Sequence, residues 1–89
     1  MANGRGKIEE RLARWLLLAQ DRIDGNELKL THEFLSVMLA VRRSGITTAL
    51  LELERKGLIL HRRSIVIITD REGLEESTNG TYLPPNDNA

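Results

Sequence analysis

Arg42, Arg43, Ser44, Thr47 and Thr48 crowd one short stretch of this chain, and Arg62 with Arg63 makes a second basic point downstream. These side chains are donors rather than nucleophiles. A guanidinium is a rigid fork of N–H groups that fits the O6 and N7 edge of guanine, or a phosphate. A threonine adds a hydroxyl for a base edge or a phosphate and a methyl for the thymine methyl. Such a set recognises an anionic polymer without transforming it. Thr31 and His32, just ahead of an apolar run, make a third candidate, because a helix start offers free amides and a positive dipole end to a phosphate.

Catalytic chemistry finds no comparable set. The chain has no cysteine, which excludes a disulfide framework, thiol catalysis and a cysteine zinc site. His32 and His61 are distant in sequence and have no partner ligands at metal spacing. No glycine-rich phosphate loop is present, and Ser36, Ser44 and Ser64 have no adjacent base. The expectation is a protein that is not an enzyme, with no catalytic residue, metal or cofactor in this chain.

Composition is consistent with a binding role. Eighty-nine residues with 40% apolar and 29% charged side chains describe one small globular domain. No apolar run approaches the roughly 18 residues of a membrane span, and the first residues lack a signal-peptide core, so the expected setting is cytoplasmic and away from membranes. The net charge is zero, but it is unevenly spread. Residues 42–63 carry six basic against two acidic side chains, an excess of four, while residues 64–89 carry one basic against five acidic. A polyanion responds to the local face rather than to the sum.

The elements that must position these groups follow from periodicity. Ile8, Leu12, Trp15, Leu16, Ala19 and Ile23 recur at spacings of three and four, predicting a first helix over 7–21 with one apolar stripe. Asp24-Gly25-Asn26 breaks it, and Leu28-Lys29-Leu30 alternates like a very short strand. Thr31 is a helix N-cap, with Glu33 in the first turn and Phe34, Leu35, Met38 and Leu39 forming the buried face of a short second helix. A third helix is expected over 44–56, buried through Ile46, Leu50 and Leu53, with Gly57 as a left-handed terminus. The turn between the second and third helices is then about four residues, the spacing of a helix-turn-helix.

Two apolar runs, 58–60 and 65–68, flank His61-Arg62-Arg63-Ser64 and predict a hairpin with a basic tip. Arg62 and Arg63 suit phosphates, and equally the protection of a sheet edge. Asp70 caps a further helical turn whose Leu74 docks on the core, and residues 77–89 read as a disordered tail. The fold class is mainly α with a small antiparallel β wing, a winged helix-turn-helix of the three-helical-bundle type over residues 7–76. In that arrangement the third helix enters the major groove, Arg43, Ser44, Thr47 and Thr48 read bases, and Thr31, His32, Arg42, Arg62 and Arg63 contact the backbone. A winged-helix protein-interaction module without DNA function is the competing reading, for which exposed Leu51 and the neutral net charge leave room.

Leu30-Thr31-His32-Glu33-Phe34-Leu35, Met38-Leu39-Ala40-Val41-Arg42-Arg43 and Leu53-Glu54-Arg55-Lys56-Gly57-Leu58-Ile59 together resemble the C-terminal domain of bacterial transcription regulators of the cAMP-receptor-protein/Fnr family. Ile65 to Leu74 is similar to the wing and exit of that domain, and Glu10 to Leu17 to its opening helix. The resemblance implies double-stranded DNA as a partner, contact with RNA polymerase, and a homodimer in the full-length protein, the domain alone being monomeric. It also implies a sensor domain, for a cyclic nucleotide or another effector, that these residues do not contain. The chain is then an excised effector domain, with residues 1–6 the end of a linker, or a truncated relative. By the same resemblance Arg43 falls on the family's base-reading arginine, Ser44 where many members have glutamate, and Thr48 where some have a second arginine. Ala40 and Ser64 stand where the turn and the wing usually have glycine.

Overall fold

The computed structural model describes residues 4–82. The elements run α1 (Gly4–Gln20), β1 (Glu27–Lys29), α2 (His32–Leu39), α3 (Arg43–Arg55), β2 (Ile59–Arg62), β3 (Ile65–Ile68) and α4 (Arg71–Ser77). The helix order and the hairpin agree with the sequence pattern. Of the expected linker remnant, residues 1–3 lie outside the described residues, and the backbone is already helical at Gly4.

The core forms where the helical stripes meet. Leu12, Leu16 and Leu17 of α1 are fully buried together with Leu35 of α2 and Ile46, Leu50 and Leu53 of α3. Leu74 closes the core from α4, while Ile59, Val66 and Ile68 close it from the sheet. Two apolar expectations fail on α2, where Phe34 and Met38 are about half exposed. On so short a helix Leu35 and Leu39, four residues apart, take the whole core-facing stripe. Phe34 and Met38 sit roughly 100° round from them, and Phe34 meets Trp15 edge-on at 5.9 Å instead. Ile23 lies beyond the end of α1 and is likewise exposed.

Helices α2 and α3 are bent by 107° from each other across the turn 40–42. Both helices end in the same closure. After α3, Gly57 takes φ +79° and Leu58 N–H reaches back to the Leu53 carbonyl at 3.1 Å. After α2, Ala40 takes φ 58° and ψ 44° while Val41 N–H reaches the Ser36 carbonyl at 3.0 Å. The left-handed geometry expected for glycine is therefore held by an alanine. Arg11 of α1 donates a short hydrogen bond to the Leu39 carbonyl and ties this turn to the first helix.

The sheet has the order β1-β3-β2, antiparallel throughout. The short strand β1 covers the outer edge of β3, with Leu28 opposite Val66. The strand β2 runs two residues further than expected, to Arg62, so that Arg63 and Ser64 alone make the turn. The positive φ of that turn, 43°, falls on Arg63 and not on Ser64. Ser64 instead accepts a hydrogen bond from Leu30 N–H at 2.7 Å, which anchors the wing tip to the start of α2.

Asp70 caps α4 as expected, accepting from Gly73 N–H at 3.1 Å. The chain after it does not fray at once. Thr78 and Tyr82 are buried, and the Arg71 guanidinium gathers Gln20, Asp21, Glu75 and the Tyr82 hydroxyl within 2.6–3.1 Å. The Tyr82 hydroxyl donates a hydrogen bond to Asp21 at 2.7 Å, and Arg14 donates to the Thr81 carbonyl. The sequence misleads here because one tyrosine in a polar run gives no periodic signal. The remainder of the expected disordered tail, residues 83–89, lies outside the described residues.

Two substitutions test this account. Ala40→Gly removes a left-handed strain of about 1–2 kcal/mol and returns part of it as unfolded-chain entropy. A net gain of about 0.5–1 kcal/mol is expected, seen as a Tm several degrees higher. Tyr82→Phe loses both hydroxyl bonds and should lower the urea-unfolding stability by about 1 kcal/mol. An unchanged midpoint would show that the segment 78–82 does not hold the domain together.

Candidate nucleic-acid interface

The faces of α3 divide cleanly. Ile46, Ala49, Leu50 and Leu53 point inward and are buried. Arg43, Ser44, Thr48 and Leu51 are exposed on the other side, with Thr47 half-buried between them. Arg42 is the N-cap of α3 in extended conformation and makes no side-chain cap bond, so its guanidinium is not consumed by the helix. At the start of α2 the Thr31 oxygen accepts from Phe34 N–H at 2.9 Å. That bond uses a lone pair and leaves the hydroxyl proton to donate.

Four of the candidate residues come together with three that were not singled out as contacts. An open cleft of about 520 Å³ is lined by Thr31, His32 and Glu33 of the α2 start, Arg43 of α3, and His61, Arg63 and Ser64 of the wing. Thr47 joins it from below, its hydroxyl oxygen 2.9 Å from His32 Nδ1 and 3.2 Å from the Arg43 carbonyl. The imidazoles of His32 and His61 lie 5.7 Å apart. His61 Nδ1 also sits 2.7 Å from a Glu54 carboxylate oxygen, out of line for a hydrogen bond, so the contact is ionic when the ring is charged. The period of two on β2 was the signal for His61: it shares the inward face with Ile59. The same alternation turns Arg62 to the other face with Leu60, so Arg62 and Arg63 do not act as one point. Arg42, Ser44 and Thr48 remain on the open surface beside the cleft rather than in it.

The field in the cleft is positive. His32 is pushed below the usual imidazole value of 6.5 by burial first, then by the neighbouring His61 and Arg43. Among the described residues Arg42, Arg43, Arg62 and Arg63 form no ion pair, whereas Arg55, Lys56 and Arg71 are each matched to a carboxylate. The four arginines of the α3 start and the wing are thus all free of carboxylate partners among the described residues. Among the described residues no cluster of three potential metal ligands exists, and no single helix is long and apolar enough to cross a membrane.

The bent helix pair, the three-stranded wing and the basic face define a winged helix-turn-helix, mainly α with a β wing. Residues 10–77 match the Crp-like helix-turn-helix domain, and the chain belongs to that family of DNA-binding domains of transcription regulators. Among solved structures, a Crp/Fnr-family transcriptional regulator from Eubacterium rectale is similar at 32% identity and a TM-score of 0.76, over 81% of this chain and 33% of that one. A CRP-family transcriptional regulator from Thermus thermophilus is similar at 26% identity and a TM-score of 0.73, over 91% and 46%. The catabolite activator protein of Thermus thermophilus shares the fold at 21% identity and a TM-score of 0.79, over 86% and 36%. The chain thus spans less than half the length of these solved relatives. No curated protein matches it by sequence.

The electrostatic reading makes a prediction about the free protein. His32 should titrate below 6.5 by proton NMR, and Arg43→Gln or His61→Gln should move its midpoint upward by removing a positive neighbour. Because the neutral form is the one favoured in the folded state, this group favours folding above pH about 6.5 and loses that contribution as acid is added.

Proposed function

We propose that this domain binds double-stranded DNA sequence-specifically, with α3 in the major groove and the wing on the backbone. In this reading Arg43 contacts a base edge, with Ser44, Thr47 and Thr48 beside it on the outward face of α3. Thr31 and His32 at the α2 start, Arg42 at the α3 N-cap, and Arg63 across the cleft hold phosphates. Arg62 contacts the backbone from the outer face of the wing. The observation that carries the proposal is the convergence of Thr31, His32, Arg43 and Arg63 on one positive cleft where α2 and α3 begin.

Sequence-specific binding follows from dividing these roles. Phosphate contacts fix register and orientation without reading sequence, and the arginine fork discriminates among base pairs. The whole regulator is proposed to act as a homodimer in the cytoplasm, placing two copies of α3 about 34 Å apart on a near-palindrome. An effector would bind in a part of the protein beyond these residues, and RNA polymerase is the partner through which a bound dimer would act. Alone, the domain lacks the second half-site and binds weakly.

The test is selection of duplexes from a random pool, then titration of the selected and a scrambled duplex at fixed salt. Arg43→Ala should cost the selected duplex about 1–3 kcal/mol, a loss of roughly 5- to 150-fold, and flatten the preference at one base pair. Arg63→Ala should weaken both duplexes alike and reduce the slope of log affinity against log salt by about one. Equal affinity for the two duplexes, untouched by Arg43→Ala, would overturn the proposal. No duplex binding at all would favour the protein-interaction reading.

A further inference from the structure

His32 is the cleft residue whose bonding is most constrained. Thr47 Oγ donates its only proton to the Arg43 carbonyl at 3.2 Å, so at His32 it can only accept. His32 Nδ1 therefore carries a hydrogen and gives it to Thr47 at 2.9 Å, which fixes the neutral tautomer. The other ring nitrogen, Nε2, is then a bare lone pair. A lone pair repels a phosphate oxygen, so His32 can hold a phosphate through Nε2 only after that nitrogen gains a proton.

The groups around the ring decide when this happens. Arg43 faces it from α3, His61 from β2 and Arg63 from the wing turn; Glu33 of its own helix also lines the cleft, and Glu54 lies behind His61. The α2 amino end adds a positive partial charge beneath the first residue of that helix, which is His32. Burial first, and then the positive neighbours His61 and Arg43, disfavour the charged ring in the empty cleft. An anion placed among the same groups reverses the balance, because it offsets Arg43 and Arg63 and accepts from Nε2–H.

We propose that His32 is a proton-linked phosphate ligand: the cleft between α2, α3 and the wing takes up a proton at His32 when a phosphate enters. This rests on the DNA-binding reading and adds its regulation by pH. His61 is a positioning residue in this scheme, holding the second imidazole against Glu54 and setting the field that His32 feels. The linkage has one sign. Where binding brings a proton with it, affinity rises as pH falls, between the midpoint of the occupied cleft above and that of the empty cleft below.

Two measurements test this. The chain has only two histidines, so their imidazole signals are assigned by His32→Asn, which keeps a donor for Thr47 but cannot take a proton. Inorganic polyphosphate should raise the His32 midpoint by about one pH unit, which corresponds to tenfold tighter binding by the charged ring. Duplex affinity at constant ionic strength should rise several-fold from pH 8 to pH 6, and the slope should collapse in His32→Asn. A His32 midpoint unmoved by polyphosphate and by duplex overturns the proposal, as does a pH slope that His32→Asn leaves intact. Absence of duplex binding overturns the DNA reading instead, and the polyphosphate titration still decides this one. The wild-type NMR measurement needs no variant, so poor folding of His32→Asn does not remove the test.

Discussion

Ala40 holds its backbone at φ 58°, a conformation that costs an L-residue about 1–2 kcal/mol, and the interface depends on its staying there. The left-handed step lets Val41 N–H close onto Ser36 while the chain turns through 107° into α3. Without it α2 would run on, and the amino ends of the two helices would not share a face. The surroundings over-determine the turn. Arg11 binds the Leu39 carbonyl from α1, Leu35 and Leu39 are sunk in the core ahead of it, and Ile46 is sunk in the core behind it. A strained residue persists when its neighbours leave no alternative, and the strain here lies next to the residues that meet the ligand.

The wing is held to the same frame by backbone as well as by its buried side chains. Leu30 N–H binds the Ser64 carbonyl, so the chain entering α2 and the tip of the hairpin are one rigid piece. Thr31 and His32 therefore keep a fixed distance from Arg63 whatever the surface side chains do. The register of β2 against β3 then assigns the faces: His61 opposes Val66 on the inner side, and Arg62 opposes Ile65 on the outer. A slip of one residue would exchange His61 and Arg62 and put a guanidinium against Glu54. Buried Ile59 opposes it, because the slip would carry that side chain of β2 to the outer face.

The features legible in the sequence are those that depend on a few neighbouring residues. Thr31 and Asp70 cap their helices, Gly57 ends α3, and Ile46, Leu50 and Leu53 give its buried face, each by local geometry. What was not legible depends on which stripe wins a contest between elements. Phe34 and Met38 are as apolar as Leu35 and Leu39, and only the placement of α1 decides which pair is covered. Tyr82 finds Asp21 and Arg71 across the fold, contacts that no spacing announces. In the candidate site the arginines and threonines were visible as types. The histidine pair was not visible as a pair, since a helix start and a strand distant in sequence must meet to form it.

Zero net charge ceases to conflict with a polyanionic ligand once the charges are placed. Asp21 and Glu75 are held by Arg71 at the α1–α4 end, and Glu9 is held by Lys56. Those carboxylates are partly offset by the cations beside them and project little field across the domain at physiological salt, where screening acts within about 8 Å. Glu33 and Glu54 are the acids close to the cleft, and Glu54 is turned to His61. Arg42, Arg43, Arg62 and Arg63 are left without carboxylate partners among the described residues at the α3 start and the wing, a local positive face that the sum over the chain conceals. Orientation follows from that face: a domain with unpaired arginines around α3 and the wing approaches a polyanion with those elements leading.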